Sequence, residues 1–516
     1  MKSHYRPDFI LHRKFYYRLI GLGLIVGIVA GVVASLYRFA IAYSQEFSQS
    51  VYAWAKNPWQ ILCVFLALAL LGLIVGWLIK GEPLIKGSGI PQAEGTILGF
   101  FQMRWLKILI KKFIGGVLGI LGGLSLGREG PSILLGAMTG QGVSNAFHRD
   151  TTEQKYLITC GACAGLAAAF NAPLAGVMLA LEEIHRSFSP KVLLSALASA
   201  LAACLISRLF FGSAPTFSLP PLSELPAAHY WLLLPLGVLL GLFGAGYNKC
   251  VLFTQNLYQK IHLPLPVKMI IPFFIAGIFG LCLPQVLGGG HNIVDGLIIG
   301  QYALPFLFLL LVGKFVLSMT SFGSGAPGGI FFPLLVLGAL AGVIYGQAAV
   351  SWVGLESNYV LPFMLFGMLG MFTAIVRAPL TGILLIVEMS ASFDQLICLA
   401  IVAFLSYITA DLCHSKPIYE SLLERAVNQG NADSPAETAA VSLEFTVCLG
   451  SPADGRQIKQ IIWPADCLVI AVMRNSQQIT PKGNTRLQVG DLLTLLCPAQ
   501  CEAQVRQYLS QEFSDH

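Results

Sequence analysis

The chain has 516 residues, 55% of them hydrophobic and only 11% charged, where an ordinary soluble domain carries about 25% charge. That balance excludes a typical water-soluble fold. The formal net charge of +6 forms no basic stripe or aromatic-interleaved patch, so a lipid bilayer, and no nucleic acid, is the expected partner.

The first 18 residues hold Lys2, Arg6, Arg13, Lys14 and Arg18, and the apolar run Leu19–Leu36 follows with no convincing small-residue cleavage site. This predicts an uncleaved first helix with its basic N-terminus in the cytoplasm. Further apolar stretches are Ile61–Ile79, Phe113–Leu126, Leu157–Leu181, Val192–Ile206, Trp231–Tyr247, Met269–Leu287, Phe306–Leu317, Ile330–Ala348, Leu361–Val387 and Leu396–Ala410. A bilayer crossing takes about 20 mostly apolar residues, and several of these are too short. The 53 glycines and 27 prolines break them up. Broken helices in lipid are tolerated only where protein or a water-filled cavity satisfies the freed backbone groups. That favours a transporter or channel over an anchored enzyme, for which no metal cluster or nucleophile–histidine pair speaks.

Along this order lie three glycine-rich, proline-bearing helix starts. In Gly87-Ser88-Gly89-Ile90-Pro91 the glycines let backbone amides approach a ligand, and Pro91 suits a first helical turn. Free amides at a positive helix end cradle an anion, and Ser88 adds a neutral donor that releases it again. Gly127-Arg128-Glu129-Gly130-Pro131 and Gly328-Gly329-Ile330-Phe331-Phe332-Pro333 repeat the logic. Glu129 sits where an anion should bind, so its carboxylate can compete for the site and protonation can clear it. Cys160 and Cys163 form a C-x-x-C inside an Ala/Gly-rich helical stretch and are read as small packing residues. His185 and His291 stand isolated and receive no role.

The chain is internally repeated. FNAPLAGVMLALEE at 170–183 matches VRAPLTGILLIVEM at 376–389 with a constant offset of 206, including Pro173/Pro379, Gly176/Gly382 and Glu182/Glu388. Gly127–Pro131 aligns with Gly329–Pro333 at an offset of 202. Two homologous halves with interrupted helices are a transporter signature. Glu182 and Glu388 share a structural role by this register, whereas Glu183 faces Met389 and has no acidic mate.

Near residues 424–440 the composition turns polar, as in a linker. Beyond it Val441–Val447 reads as a strand, Ala453–Ile462 as a helix, Cys467–Arg474 as a strand, Asn475-Ser476 as a hairpin turn, Leu492–Cys497 as a strand and Glu502–Ser510 as a closing helix. This is a small α+β domain near the lower comfortable size for independent folding.

The elements at 87–91, 127–131 and 328–333, with the late Tyr419, resemble the signature of the CLC chloride channel and transporter family over roughly residues 15–425. The resemblance implies an all-α polytopic membrane fold of two inverted helical repeats with broken helices, halved at about 15–215 and 225–425. It implies a homodimer in the plasma membrane, with cytoplasmic termini and no cofactor beyond transported chloride and protons. Ser88, Tyr419 and the amides of Ile330 and Phe331 would bind chloride, Glu129 would be the external gating glutamate, and Glu183 the internal proton glutamate. Gln92 stands where some relatives carry an acid. Glu94, Lys112 and Arg128 match charges that cluster in relatives, and buried charges need partners. The last part of the chain, 441–516, resembles a TrkA-C domain through Val469–Arg474, Ile479-Thr480-Pro481 and Leu487–Leu493, which implies a cytosolic regulatory domain able to dimerise or bind an unknown small ligand. Residues 426–440 would be the linker between the two. The implied activity is exchange of chloride for protons. The alternatives are a passive voltage- or proton-gated chloride channel and a membrane-embedded sensor.

Overall fold

The computed structural model describes residues 7–185, 190–213, 216–217, 219–431, 440–448, 450–464, 467–474, 477–498, 505, 508, 509 and 513. They fall into two compact units, Met1–Glu424 and Arg425–His516.

The first unit is helical. Its first half comprises α1 (Pro7–Trp54), α2 (Pro58–Gly81), α3 (Ile90–Leu98), α4 (Trp105–Leu121), α5 (Glu129–Ala146), α6 (Thr151–Phe170), α7 (Pro173–Leu179) and α8 (Pro190–Phe211). The second comprises α9 (Leu233–Lys260), α10 (Leu265–Lys268), α11 (Ile270–Cys282), α12 (His291–Ile298), α13 (Leu304–Gly323), α14 (Phe331–Val353), α15 (Val360–Val376), α16 (Pro379–Ser390) and α17 (Leu396–Leu412). Helix α18 (Ile418–Asn431) follows. Among the described residues, eight helices are long and apolar enough to cross a membrane.

Several apolar stretches run differently from their sequence reading. Leu157–Leu181 breaks where Asn171 takes a left-handed φ of 56° and Pro173 opens α7. Leu361–Val387 breaks at the repeat-equivalent place, with Arg377 at φ 72° and Pro379 opening α16. A proline cannot continue a helix behind it, because its ring clashes with the preceding turn and it brings no N–H. Phe113–Leu126 stops at Leu121, where Gly122 and Gly123 turn the chain. Conversely, Leu19–Leu36 is the middle of a 48-residue helix.

The halves pack alike. A Cβ at Gly136 would strike the Gly161 backbone, and one at Gly338 the Gly367 backbone; the missing side chains let α5 press on α6, and α14 on α15, through van der Waals contact. Contacts between the halves are also reciprocal. Gly127 N donates to Gly329 O at 2.7 Å and Gly329 N to Gly127 O at 2.8 Å. Glu182 accepts from Thr381 N and Oγ1 at the start of α16, at 2.9 and 2.7 Å. Glu388 accepts from Leu174 N and Ala175 N at the start of α7, at 3.1 and 2.8 Å. Reciprocal contacts require a local two-fold axis between the halves, the arrangement expected of an inverted repeat.

The second unit holds an antiparallel sheet of β1 (Ala440–Thr446), β2 (Leu468–Arg474), β3 (Gln477–Ile479) and β4 (Leu492–Pro498) in the order β1-β4-β2-β3. Leu443, Val472, Leu493 and Leu495 centre its core. The helix expected over Ala453–Ile462 is instead a run of turns with a short 3-10 turn at Ile458–Gln460; Gly455 at φ 73° interrupts it. Helix α18 extends to Asn431, into the stretch read as linker. The rest of that linker, the turn at Asn475-Ser476 and most of the closing helix at Glu502–Ser510 lie outside the described residues.

Candidate functional site

The three glycine-rich segments meet in the interior of the helical unit. Gly89, at φ 104°, turns the chain into α3 with Pro91 in the first turn. Gly328 N donates to Gly87 O at 3.0 Å, and Gly87 N to Gly325 O at 3.3 Å. The Gly127–Gly329 pair closes the third side. Gly130 abuts Ser88: a Cβ there would stand 2.9 Å from the Ser88 carbonyl oxygen, 3.3 Å from Gly329 Cα, and hard against Ser88 Oγ. The N-termini of α3, α5 and α14 therefore converge, with Pro131 and Pro333 in matching first turns. Positive helix ends gathered in a buried place offer an anion partial charge without a fixed cation.

The donors named from the sequence line this place. Ser88 and Tyr419 are buried near one another, and neither Ser88 Oγ nor Tyr419 Oη makes a well-formed hydrogen bond among the described residues. Ile330 caps α14 and Phe331 is its first residue, both fully buried; first-turn amides have no partner inside their own helix. The Phe331 ring is held by Phe170 and Phe372, at 5.5 and 5.0 Å between centroids.

Glu129 is the first residue of α5 and is fully buried. Arg128 Nε lies 3.7 Å from its Oε1. A Cβ on Gly127 would meet both the Glu129 Oε2 and the Phe332 amide nitrogen, so only glycine leaves the carboxylate this place. Outside it a cavity of about 180 Å³ is lined by Gln45, Glu46 and Gln49 of α1, with Gly127, Arg128 and His291. Glu183 lies on another element, after α7. It is mostly buried in a π turn, Ala180–Ile184, that packs against α3 and α6. Such turns occur often at functional sites.

The cluster expected among Glu94, Lys112 and Arg128 takes another form. Lys112 Nζ, fully buried, donates to the carbonyls of Ile85 and Gly87 at 2.9 and 2.5 Å. Its mate Lys314 donates to Val286 and Gly288 at 3.0 and 2.7 Å. Each lysine ties down the loop before a short helix, and Arg128 bonds His291 with its Nε 3.7 Å from Glu129. Gln92 donates to the Lys86 carbonyl at 2.9 Å, steadying the same loop. Cys160 and Cys163 are buried on α6 as packing residues. The residue missed from the sequence is His291, stacked on Phe332 with centroids 3.8 Å apart and bonded to Arg128 at 3.2 Å. The repeat register held a signal for it: Gly288-Gly289-Gly290 stands opposite Gly87-Ser88-Gly89, so His291 opens the counterpart of α3.

Comparison with known proteins agrees with this geometry. Residues 71–411 match the family model described as voltage gated chloride channel, and residues 443–510 match the TrkA-C domain. The chain is 35% identical over 438 residues to the H(+)/Cl(-) exchange transporter ClcA of Vibrio cholerae, covering 81% of this chain and 92% of that one. It is 33% identical over 436 residues to ClcA of Klebsiella pneumoniae, covering 82% and 92%. Among solved structures, a slow cyanobacterial Cl-/H+ antiporter superposes with a TM-score of 0.77 at 31% identity, covering 80% of this chain and 99% of that one. A CLC-type fluoride/proton antiporter shares the fold at 23% identity and a TM-score of 0.67, over 81% and 98%. With its converging helix starts, repeated halves and these matches, the chain belongs to the voltage gated chloride channel family, the CLC family.

Proposed function

We propose that the protein exchanges chloride for protons across the membrane. The observation that carries this reading is the convergence of three helix N-termini on two buried hydroxyls that make no well-formed hydrogen bond among the described residues, with a carboxylate at the start of one of those helices. Chloride binds to Ser88 Oγ, Tyr419 Oη and the amides of Ile330 and Phe331. Glu129, as carboxylate, competes for the helix ends; protonated, it loses its hold and moves aside. Glu183, on the π turn, passes protons to and from the cytoplasmic side. The basic N-terminus supports cytoplasmic termini in the plasma membrane, and the family supports a homodimer with one pathway per subunit. The tail is the regulatory part and takes a small ligand or a second copy of itself.

Chloride and proton fluxes recorded together in reconstituted vesicles test the exchange. A chloride gradient should drive protons uphill in the wild type. Glu129→Ala and Glu183→Gln should pass chloride and move no protons. Proton coupling that survives Glu129→Ala would refute its role, and chloride flow without protons in the wild type would make the protein a passive channel.

A further inference from the structure

The wall beside Glu129 carries a side chain that the exchange cycle leaves unused. His291 opens α12 and lines the cavity over Gly127 and Arg128. Its ring lies flat on Phe332, with planes 5° apart, and its Nε2 is 3.2 Å from Arg128 Nη2. A guanidinium has only donors. Nε2 must therefore present its lone pair, which makes the ring neutral with its proton on Nδ1. The charged groups near it are Arg128 from the start of α5, with Glu129 beyond it, Arg38 and Glu46 from α1, and Lys314 from α13; α14 offers Phe332. A second proton would break the bond to Arg128 and set another cation among Arg38, Arg128 and Lys314.

The same guanidinium faces Glu129, with Nε 3.7 Å from Oε1, beyond hydrogen-bond length. Arg128 is thus held by His291 and stops short of a direct bond to the carboxylate. We propose that His291 is a positioning residue for the Glu129 switch: by accepting from Arg128 it keeps the guanidinium off the carboxylate, and so sets the pH range over which Glu129 takes up its proton. The inference rests on the exchange reading. Without the acceptor, Arg128 closes on Glu129 into a contact ion pair. A cation at contact favours the ionised form, so more acid is needed to protonate Glu129.

The test is the pH profile of chloride-driven proton transport by the full-length protein in vesicles. His291→Phe keeps a ring against Phe332 and removes the acceptor. His291→Gln keeps an acceptor and removes the ring. The midpoint of acid activation should move toward lower pH by about one unit or more in His291→Phe and stay near wild type in His291→Gln. A wild-type profile in His291→Phe, or the same shift in both variants, overturns the proposal. Nitrogen NMR of His291 in the wild type decides it independently of variant folding. The ring should remain neutral, with its proton on Nδ1, across about pH 5 to 8 where a free imidazole titrates; a charged ring or a proton on Nε2 overturns it. A wild type that carries chloride without protons refutes the exchange reading instead, and the NMR result still stands or falls alone.

Discussion

At the scale of single residues the site depends on what is missing from Gly130. A methyl there would meet Ser88 Oγ, with Gly329 Cα 3.3 Å behind it. The methyl also stands 2.9 Å from the Ser88 carbonyl oxygen, so the serine hydroxyl must rotate away and the Ser88 segment must shift with it. Gly130→Ala should weaken chloride binding about tenfold, the loss of one hydrogen bond to a charged partner, while the helices still assemble. Calorimetric chloride titration checks this, and an unchanged affinity would mean that Ser88 does not touch the ion. Glu129 differs from its neighbours because it is an acid at a buried helix start. Intramembrane ionisable groups are costly and are kept for function.

At the scale of elements the short helices are held by their mates across the two-fold axis. Glu182 caps α16 and Glu388 caps α7, each from the opposite half. Glu182→Ala or Glu388→Ala should cost about 1–2 kcal/mol, as for a lost helix cap, and lower the unfolding temperature while chloride and protons remain coupled. Glu183→Gln should do the reverse, removing coupling and sparing stability; the two readouts together separate neighbouring acids. The buried lysines act on loops. Lys112→Met leaves the Ile85 and Gly87 carbonyls without their donor, at about 1–3 kcal/mol for a buried group left unsatisfied, and loosens the loop that carries Ser88. Both stability and chloride affinity should fall. Lys314→Met frees the equivalent loop, Gly288–Gly290, which carries no hydroxyl, so stability should fall and affinity hold.

At the scale of the whole molecule the two units have separate cores, one running through the helices and one centred on Leu443, Val472 and Leu495. A chain ending at residue 431 should therefore fold and transport at wild-type turnover in vesicles; loss of flux would make the tail part of the pathway. Within the tail, Asp491 is buried and accepts from Arg474 Nε and Nη2, both at 2.7 Å, and from Gln488 N at 2.9 Å. Asp491→Asn should cost about 2 kcal/mol, read as faster hydrogen exchange over β2 and β4 with transport unaffected. The sequence by itself determined that this is a membrane chain with duplicated halves, three anion-cradling helix starts and one acid among them. Hydropathy, glycine and proline punctuation and a fixed offset are properties of local stretches and of their spacing. Only the tertiary structure decided which residues meet. It joined Gly127 to Gly329, sent Lys112 to carbonyls rather than carboxylates, and set His291 against Arg128 across 163 positions of chain. Such pairings follow from how the halves fold about their common axis, where buried charges take whatever partners packing brings within reach, and no local pattern encodes that choice.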